Sequence, residues 1–328
     1  MRLTRLAASV TTLCLAALSA ATGLAQEKPV TTASLLSQTA PTEASVPSVS
    51  APFNGWGFLV DKLRSAGVPE GELSAVYNDP RMPPFSFVPF RLKPKEQSSL
   101  YKGFTTPAQI AMGAAFAREH TKEFDRIEQT LRVPREVVTA IVLVESQLGQ
   151  NTGKALVLER LSRVASVREP INLQQNLEVM RQDDPNVTLE QLEERALYLE
   201  KTFLPEIPAL FEISRRHKLD PLTLRGSMAG AFGLPQFLPS AFLRFAVDGD
   251  RDGDISLFDN VDAVWSTAKY LGSYGYRDEL PHKEKRLILW RYNKSDAYID
   301  TILSVSGAIK ARLRTAPASS IKRKQPSK

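Results

Sequence analysis

The sequence predicts a mostly α-helical protein. Apolar residues recur at helical spacing in successive segments from Trp56 onward, and no segment alternates apolar and polar residues as a half-buried strand does. Hydrophobic residues make up 43% and charged residues 24% of the 328 positions, an ordinary globular composition that allows a sizeable core. No internal repeat is visible.

The first 25 residues have the features of a secretory signal peptide. Arg2 and Arg5 precede a short apolar run, and small residues before Ala25 suit cleavage there. A transmembrane anchor is the weaker alternative because the run is short and Ser and Thr interrupt it. The single cysteine, Cys14, lies inside the run without a lipoprotein-type cleavage sequence. We therefore expect an exported, soluble product without a disulfide.

Residues 26–52 predict a disordered linker, residues 53–314 the catalytic domain, and residues 315–328 a disordered basic tail. Of the net charge of +6, Arg2 and Arg5 contribute two positive charges and the stretch from Lys310 to the C-terminus contributes seven, so the remainder carries −3. A mildly acidic body argues against an enzyme that acts on nucleic acids. The tail is expected to aid solubility, with contact to anionic envelope polymers as the alternative.

Prolines and glycines delimit the helical segments. Pro107 and Pro134 each stand where a first helical turn is expected, and the segment after Pro134 is apolar nearly all round, which predicts a buried helix. The stretch 188–218 is predicted to be helical with a break at Pro205 or Pro208. The remaining predicted helices cover residues 58–67, 260–275, 283–293 and 295–313.

A glutamate ends the most apolar of these segments, TAIVLVESQLGQ. Glu145 directly follows the apolar residues Ala140 to Val144. Burying an unpaired carboxylate is costly, so this residue is either paired inside the core or placed there for chemistry. An apolar pocket raises the pKa of a carboxyl, as a general acid near neutral pH requires, so Glu145 is a candidate catalytic acid. A structural partner of an arginine or an amide is the alternative.

The segment DGDRDGDISLFD has the spacing of an EF-hand calcium loop. Acidic residues occupy loop positions 1, 3, 5, 7 and 12, with Gly253 at the sharp turn and Ile255 at the usual apolar position. Because such closely spaced carboxylates repel one another without a cation, we expect a structural Ca²⁺; an acidic surface turn is the alternative. The predicted ligands are Asp248, Asp250, Asp252, Asp254 and Asp259.

The segment GSMAGAFGLPQFLPSAF, which precedes this loop, is rich in small residues. Glycines there allow the backbone to approach a ligand or another helix closely. Gln236 is either a satisfied core amide or a donor and acceptor pair for a sugar amide, and composition alone leaves both readings open.

Three segments together carry a family resemblance. VESQLGQNTGK, the stretch 220–276 and WRYNKSDAYI, in that order, resemble the B-type membrane-bound lytic murein transglycosylases, over Thr105 to Arg312. The resemblance implies a lysozyme-like helical fold with an EF-hand-like calcium loop, and a periplasmic enzyme. It implies cleavage of peptidoglycan glycan strands between N-acetylmuramic acid and N-acetylglucosamine without water, which leaves a 1,6-anhydro sugar.

The resemblance also implies roles for particular residues. Glu145 would be the single catalytic acid, which suffices if the 6-hydroxyl of the sugar serves as nucleophile, whereas an ordinary glycosidase needs a second carboxylate. A hydrolytic muramidase and an inactive, calcium-stabilised peptidoglycan-binding protein are the alternatives. The implied substrate-binding residues are Ser227, Gln236, Tyr270, Tyr292 and Asn293.

The sequence also departs from the family pattern. A small β-rich insertion that is common in the family is missing between Gly275 and Trp290, and the stretch 172–193 looks inserted. The arginine pair that contacts the peptide stem in the family is not clear, with Arg168 and Arg195 as candidates.

Overall fold

The computed structural model describes residues 52–93 and 98–315. The predicted signal peptide with Cys14 lies outside the described residues, as do all but the boundary residues of the predicted linker and tail.

Helices account for most of the described chain, which confirms the predicted mostly α-helical class. Two short 3₁₀ helices cover Pro52–Gly55 and Ser98–Thr105. The strands β1 (Ala155–Leu156) and β2 (Arg225–Gly226) form a small antiparallel pair. The α-helices are α1 (Gly57–Ser65), α2 (Glu70–Tyr77), α3 (Pro107–Glu119), α4 (Thr121–Leu131), α5 (Arg135–Ser146), α6 (Val157–Ala165), α7 (Pro170–Asp183), α8 (Leu189–Phe203), α9 (Glu206–His217), α10 (Pro239–Phe245), α11 (Asn260–Ser273), α12 (His282–Tyr292) and α13 (Asp296–Thr315).

Helix α5 lies at the centre of the fold, as its apolar circumference predicts. It is buried from Glu136 to Ser146, and α3, α11 and α13 pack around it. Helix α3 comes close at Gly113, where an added Cβ would stand 2.7 Å from the Ile309 side chain and 3.3 Å from Leu143. The candidate acid Glu145 is therefore carried by a buried helix that three other helices surround.

The long helical stretch breaks where the prolines predict. Helix α8 begins with a capping box formed by Thr188 and Gln191, and it ends at Phe203. Pro205 precedes α9, whereas Pro208 stands inside the first turn of α9, where a missing N–H breaks no intrahelical hydrogen bond.

The stretch that looks inserted forms most of α7 and the start of α8. It is bound to the N-terminal part of the domain by two buried asparagines of α7. Asn172 Oδ1 accepts from Val88 N at 2.7 Å, and Asn176 Oδ1 accepts from Phe90 N at 3.1 Å. Helix α12 fills the segment between Gly275 and the end of WRYN. No helix of the described residues is both long enough and apolar enough to cross a bilayer.

Candidate functional site

Glu145 lies in the last turn of α5 and is 4% exposed. Directly after this helix, Gln147, Leu148 and Gly149 have left-handed φ values of 53°, 58° and 86°. The Oγ of Ser146 accepts a hydrogen bond from Gly149 N at 3.0 Å, which holds this turn. Left-handed conformations at non-glycine residues cost on the order of 1–3 kcal/mol each and cluster at functional sites.

Glu145 is buried at the C-terminal end of its helix and has a buried phenol beside it. The C-terminal end of a helix carries a partial negative charge, and burial removes the carboxyl from water. Tyr298 is fully buried beside Glu145; burial first, and then the charge of Glu145, raise the pKa of its phenol well above the ordinary value. The phenol therefore stays protonated next to the carboxyl.

Glu145 opens into a cavity of about 510 Å³. Among the described residues that line this cavity, Glu145 is the one acid, whereas Arg195, Arg291 and Lys294 supply three cations. Helix α8 forms part of the cavity wall. The stretch 172–193, which looks inserted, ends within this helix and directly precedes its cavity-lining residues. The lining includes five of the sequence-predicted site residues: Glu145, Gln236, Tyr270, Tyr292 and Asn293.

Aromatic side chains form one part of the cavity wall. The ring of Tyr270 lies 4.8 Å from that of Tyr292 and 5.9 Å from that of Phe237, measured between centroids. The hydroxyl of Tyr292 donates to the carbonyl of Pro235 at 2.6 Å, and its ring stacks at 10° on Tyr298. Burial raises the pKa of Tyr270, so this wall is uncharged at neutral pH. Such a surface suits the apolar faces of a neutral ligand.

Gln236 both lines the cavity and ties the fold together. Its Nε2 donates to the carbonyls of Thr152 at 3.1 Å and Gly233 at 2.8 Å, and its own backbone is left-handed at φ 52°. Ser227 is not among the lining residues; its Oγ accepts from Ala231 N at 3.2 Å within the small-residue turn.

The acidic loop brings together a different set of carboxylates from the predicted set. Oxygens of Asp248, Asp250 and Asp262 lie within 4.8 Å of one another. Asp252, Asp254 and Asp259 are outside this group. Oxygen ligands of this kind are those that Ca²⁺ prefers, so the three residues fit a calcium ion.

Asp259, the residue at loop position 12, has a structural role in this arrangement. Its carboxylate caps α11 by accepting from Val261 N at 2.7 Å and Asp262 N at 3.2 Å. Asp262 is 3% exposed and accepts from Gly249 N and Ser256 N, each at 2.7 Å. Burial first, and then repulsion from Asp250 and Asp259, raise the pKa of Asp262 despite these hydrogen bonds.

A family model described as the transglycosylase SLT domain matches residues 57–288, which is most of the described chain. The chain belongs to this family. A match of this length includes Glu145, the aromatic wall up to Tyr270 and the acidic loop.

One curated protein is similar to this chain in sequence, and several solved structures are similar to it in fold. Membrane-bound lytic murein transglycosylase B of Escherichia coli (strain K12) is 32% identical over 175 residues, which are 53% of this chain and 41% of that relative. The E. coli lytic transglycosylase SLT35, solved with bulgecin A, superposes with a TM-score of 0.58 at 21% identity and covers 79% of this chain and 94% of that one. The soluble lytic transglycosylase SltB1 of Pseudomonas aeruginosa superposes with a TM-score of 0.58 at 24% identity. The match covers 80% of this chain and 99% of SltB1.

Two further solved SLT relatives carry ligands. SLT35 has been solved in complex with calcium, with a TM-score of 0.56 at 20% identity over 79% of this chain and 94% of that one. SltB3 of P. aeruginosa has been solved with NAG-anhNAM-pentapeptide, with a TM-score of 0.56 at 17% identity over 79% of each chain. At these identities the likeness is one of fold.

Two residues of the candidate sites, Asp262 and Tyr298, were not found from the sequence. Asp262 lies between Val261 and Ala263, so it has the same sequence signal as Glu145, a carboxylate among apolar residues. Because it directly follows the loop motif, however, the sequence alone suggests an ordinary acid in the first turn of a helix. Tyr298 follows WRYN in sequence and carries no signal of its own, because only the packing of α13 against α5 brings it beside Glu145.

Proposed function

We propose that this protein is an exported lytic transglycosylase that cleaves the glycan strands of peptidoglycan between N-acetylmuramic acid and N-acetylglucosamine. Membership of the SLT family and similarity to a membrane-bound lytic murein transglycosylase support the reaction. The SltB3 complex with an anhydro-muramyl peptide supports the substrate class. The features predicted for residues 1–25 support export to the periplasm, and the proposed catalytic domain is residues 53–314.

The observation that carries the proposal is that Glu145 is the one acid among the described residues that line the cavity. Hydrolysis by a glycosidase ordinarily uses two carboxylates, one as acid and one as base or nucleophile. A single carboxyl can serve both steps when the substrate supplies its own nucleophile. This favours the transglycosylase over the muramidase.

In the first step, the carboxyl of Glu145 donates its proton to the glycosidic oxygen as the bond from that oxygen to C1 of the muramic acid breaks. The resulting carboxylate then takes the proton of the 6-hydroxyl, and the oxygen of that hydroxyl bonds to C1. Glu145 ends the cycle protonated, no water is consumed, and the new chain end is a 1,6-anhydro sugar. Tyr298 would orient the carboxyl, while Gln236, Tyr270, Tyr292 and Asn293 would contact the sugars.

We further propose that the acidic loop holds a structural calcium ion, which would offset the repulsion between its carboxylates. The clustered oxygens of Asp248, Asp250 and Asp262 support this assignment, and the SLT35 complex with calcium supports the choice of metal. Asp252, Asp254 and Asp259 remain candidate ligands from their positions in the loop motif. Ser227 remains a candidate substrate contact on the resemblance alone.

Product analysis tests the reaction. The purified protein is incubated with peptidoglycan and the fragments are analysed by mass spectrometry. We expect fragments that end in 1,6-anhydromuramic acid, each lighter by one water than the hydrolytic product. Reducing ends would make the protein a muramidase. Binding without cleavage would make it an inactive peptidoglycan-binding protein.

A further inference from the structure

A second cavity of about 510 Å³ lies in the N-terminal part of the domain. The residues at the start of α1, the segment that follows α2 and the start of α7 form it, and it shares no described lining residue with the cavity around Glu145. Three phenylalanines, Phe58, Phe85 and Phe87, supply aromatic surface. This cavity is therefore separate from the site of the proposed reaction.

Phe87 presents an exposed side chain from a fixed backbone. It is 36% exposed. The guanidinium of Arg163 donates to Ser86 Oγ at 2.8 Å and to Phe87 O at 2.7 Å, and Val88 N donates to the buried Asn172 at 2.7 Å. Because the chain is held on both sides of the ring, the aromatic surface is already formed before a ligand arrives, which lowers the entropic cost of binding.

The polar groups of this second cavity are neutral except for one carboxylate. Glu169 is the one charged residue among the described lining residues, and its Oε2 caps α7 by accepting from Asn172 N at 2.7 Å. The exposed Ser86 and Gln175 add a hydroxyl and an amide. The cavity around Glu145, in contrast, has three cations. Aromatic surface beside hydroxyl and amide groups suits a neutral, hydroxyl-rich ligand better than an anion.

Packing at the edge of the core is the alternative role for the apolar residues. It accounts for Phe85, whose ring lies 5.1 Å from that of Trp56, and for Phe58, whose ring lies 4.6 Å from the ammonium of Lys62. It does not account for Ile171, which lines the cavity from the first turn of α7 and is 67% exposed. An exposed apolar side chain beside an aromatic cavity adds surface that a ligand would cover.

The segment that carries Phe87 also leads towards the cavity around Glu145. Four residues further on, Arg91 O accepts from Nε of Arg195, a residue of that cavity, at 3.2 Å. Four residues span at most about 14 Å. A polymer bound in one cavity therefore has further units close to the other, and attachment at one site raises the effective concentration at the second.

We propose that the cavity lined by Phe87, Glu169 and Ile171 is a second binding site for glycan strands, in which neutral N-acetylated sugar units pack on the ring of Phe87. The choice of ligand rests on the proposed function, since the glycan strand is the neutral, hydroxyl-rich polymer that such an enzyme meets. The second site holds a long strand while the cavity around Glu145 acts on it, so long strands are favoured over short fragments.

The test uses chitotetraose, a neutral oligomer of N-acetylglucosamine, and the Glu145→Gln protein labelled at its isoleucine δ1 methyl groups. The NMR signal of the Ile171 methyl, identified by its loss in Ile171→Val, reports on the second cavity. We expect this signal to shift as chitotetraose is added. Phe87→Ala should raise the Kd from this titration about tenfold, because it removes the aromatic anchor, whereas Phe87→Tyr should keep the Kd.

Val179 provides the matched control, since it is also an exposed apolar residue of α7 but does not line the cavity. Val179→Ala should leave the Kd unchanged. An Ile171 signal that does not respond to the sugar, or that responds equally in Phe87→Ala, would overturn the proposal. A shift that follows protein concentration without sugar would assign this surface to a second copy of the chain and would also overturn it.

Activity gives a second measurement, the ratio of kcat/KM on long glycan strands to kcat/KM on short fragments. Phe87→Ala should lower this ratio in a protein with Glu145 intact, and an unaltered ratio would refute the role in holding long strands. A protein whose Ile171 signal responds to chitotetraose but which cleaves no peptidoglycan would refute the proposed function and leave the second binding site in place.

Discussion

Two buried carboxylates lie at opposite ends of their helices. Glu145 is in the last turn of α5, where the helix presents carbonyl groups and a partial negative charge. Asp262 is in the first turn of α11, where the partial charge is positive, and it accepts two backbone N–H groups. The cavity around Glu145 is aromatic and basic, whereas the surroundings of Asp262 are acidic.

The difference teaches how one chain assigns two roles to the same functional group. The proposed catalytic acid, Glu145, is buried at the C-terminal end of its helix beside the neutral phenol of Tyr298, and it opens into a cavity that three cations line. The proposed metal ligand, Asp262, stands where hydrogen bonds and the helix dipole support its charge, although burial and neighbouring acids oppose it. The five predictions that follow test this contrast, beginning with the largest expected effect.

Glu145→Gln should abolish most of the activity without unfolding the protein. The amide keeps the shape of the carboxyl but has no proton to transfer, so cleavage should fall by about 10²–10⁴-fold, the usual size of a general acid–base contribution. Thermal unfolding should show a variant at least as stable as the parent, because a buried carboxyl is costly.

Glu136 offers the control for this substitution. It is also buried and lies on α5, but at the other end of the helix, where it pairs with Lys310 at 3.1 Å. Glu136→Gln should retain activity. Near-parent activity in Glu145→Gln would place the catalytic acid elsewhere.

Removing calcium should lower the melting temperature of the parent. A ligand that binds only the native state at about 100 times its Kd stabilises that state by about 2.7 kcal/mol. Asp262→Ala and Asp248→Ala should remove this response to a chelator, which differential scanning calorimetry with and without calcium would measure.

Asp259→Ala separates a capping role from a ligand role. Loss of the cap should cost about 0.5–2 kcal/mol. If Asp259 only caps α11, the variant should still respond to the chelator. If the parent has the same melting curve with and without chelator, the proposal of a calcium site is wrong.

Gln236→Ala should weaken the contact between the cavity around Glu145 and the acidic loop. The turn at Gly233–Gln236 contacts the acidic loop, since Leu234 N donates to Leu257 O at 2.7 Å, and Gln236 ties the same turn to Thr152 beyond α5. Loss of two hydrogen bonds should destabilise the protein by about 1–3 kcal/mol and lower activity as well. Lower activity at parent-like stability, measured by urea unfolding, would assign Gln236 to substrate binding alone.

Glu206 offers a comparison with Asp262. It is also a carboxylate in the first turn of a helix, but it is not part of the candidate metal group. It is buried at the start of α9 and accepts from Ser240 N at 2.8 Å and Ser240 Oγ at 2.7 Å. Burial nevertheless raises the pKa of Glu206 above 4.5, so its contribution to stability is fully present below that pH and is lost as the pH rises through the folded pKa.

Glu206→Gln should therefore gain stability relative to the parent as the pH rises above 4.5, in urea unfolding at a series of pH values. A difference that does not vary with pH would mean that the two hydrogen bonds compensate fully for burial.

Most of the helices could be predicted from the sequence because apolar periodicity, helix caps and prolines agree on where the helices begin and end. Pro107 stands at the first position of α3 with Thr106 as its cap, and the stretch around Pro205 breaks between α8 and α9. The candidate acid was predictable for the same reason, since a carboxylate at the end of an apolar run conflicts with burial unless it has a use. The metal group was only partly predictable, because loop spacing does not reveal that Asp262 folds back onto Asp248 and Asp250.

By itself, the sequence determined the helical class, the candidate acid, the acidic loop and the resemblance to a glycan-cleaving family, because periodicity, capping and motif spacing are local properties of a chain. Only the tertiary structure decided which residues from distant parts of the sequence lie close together. Tyr298 reaches Glu145 from α13, Arg195 reaches the cavity from α8, and Ser227 lies away from the cavity lining. Such distances depend on how helices far apart in sequence pack around α5, and a local pattern does not encode that packing.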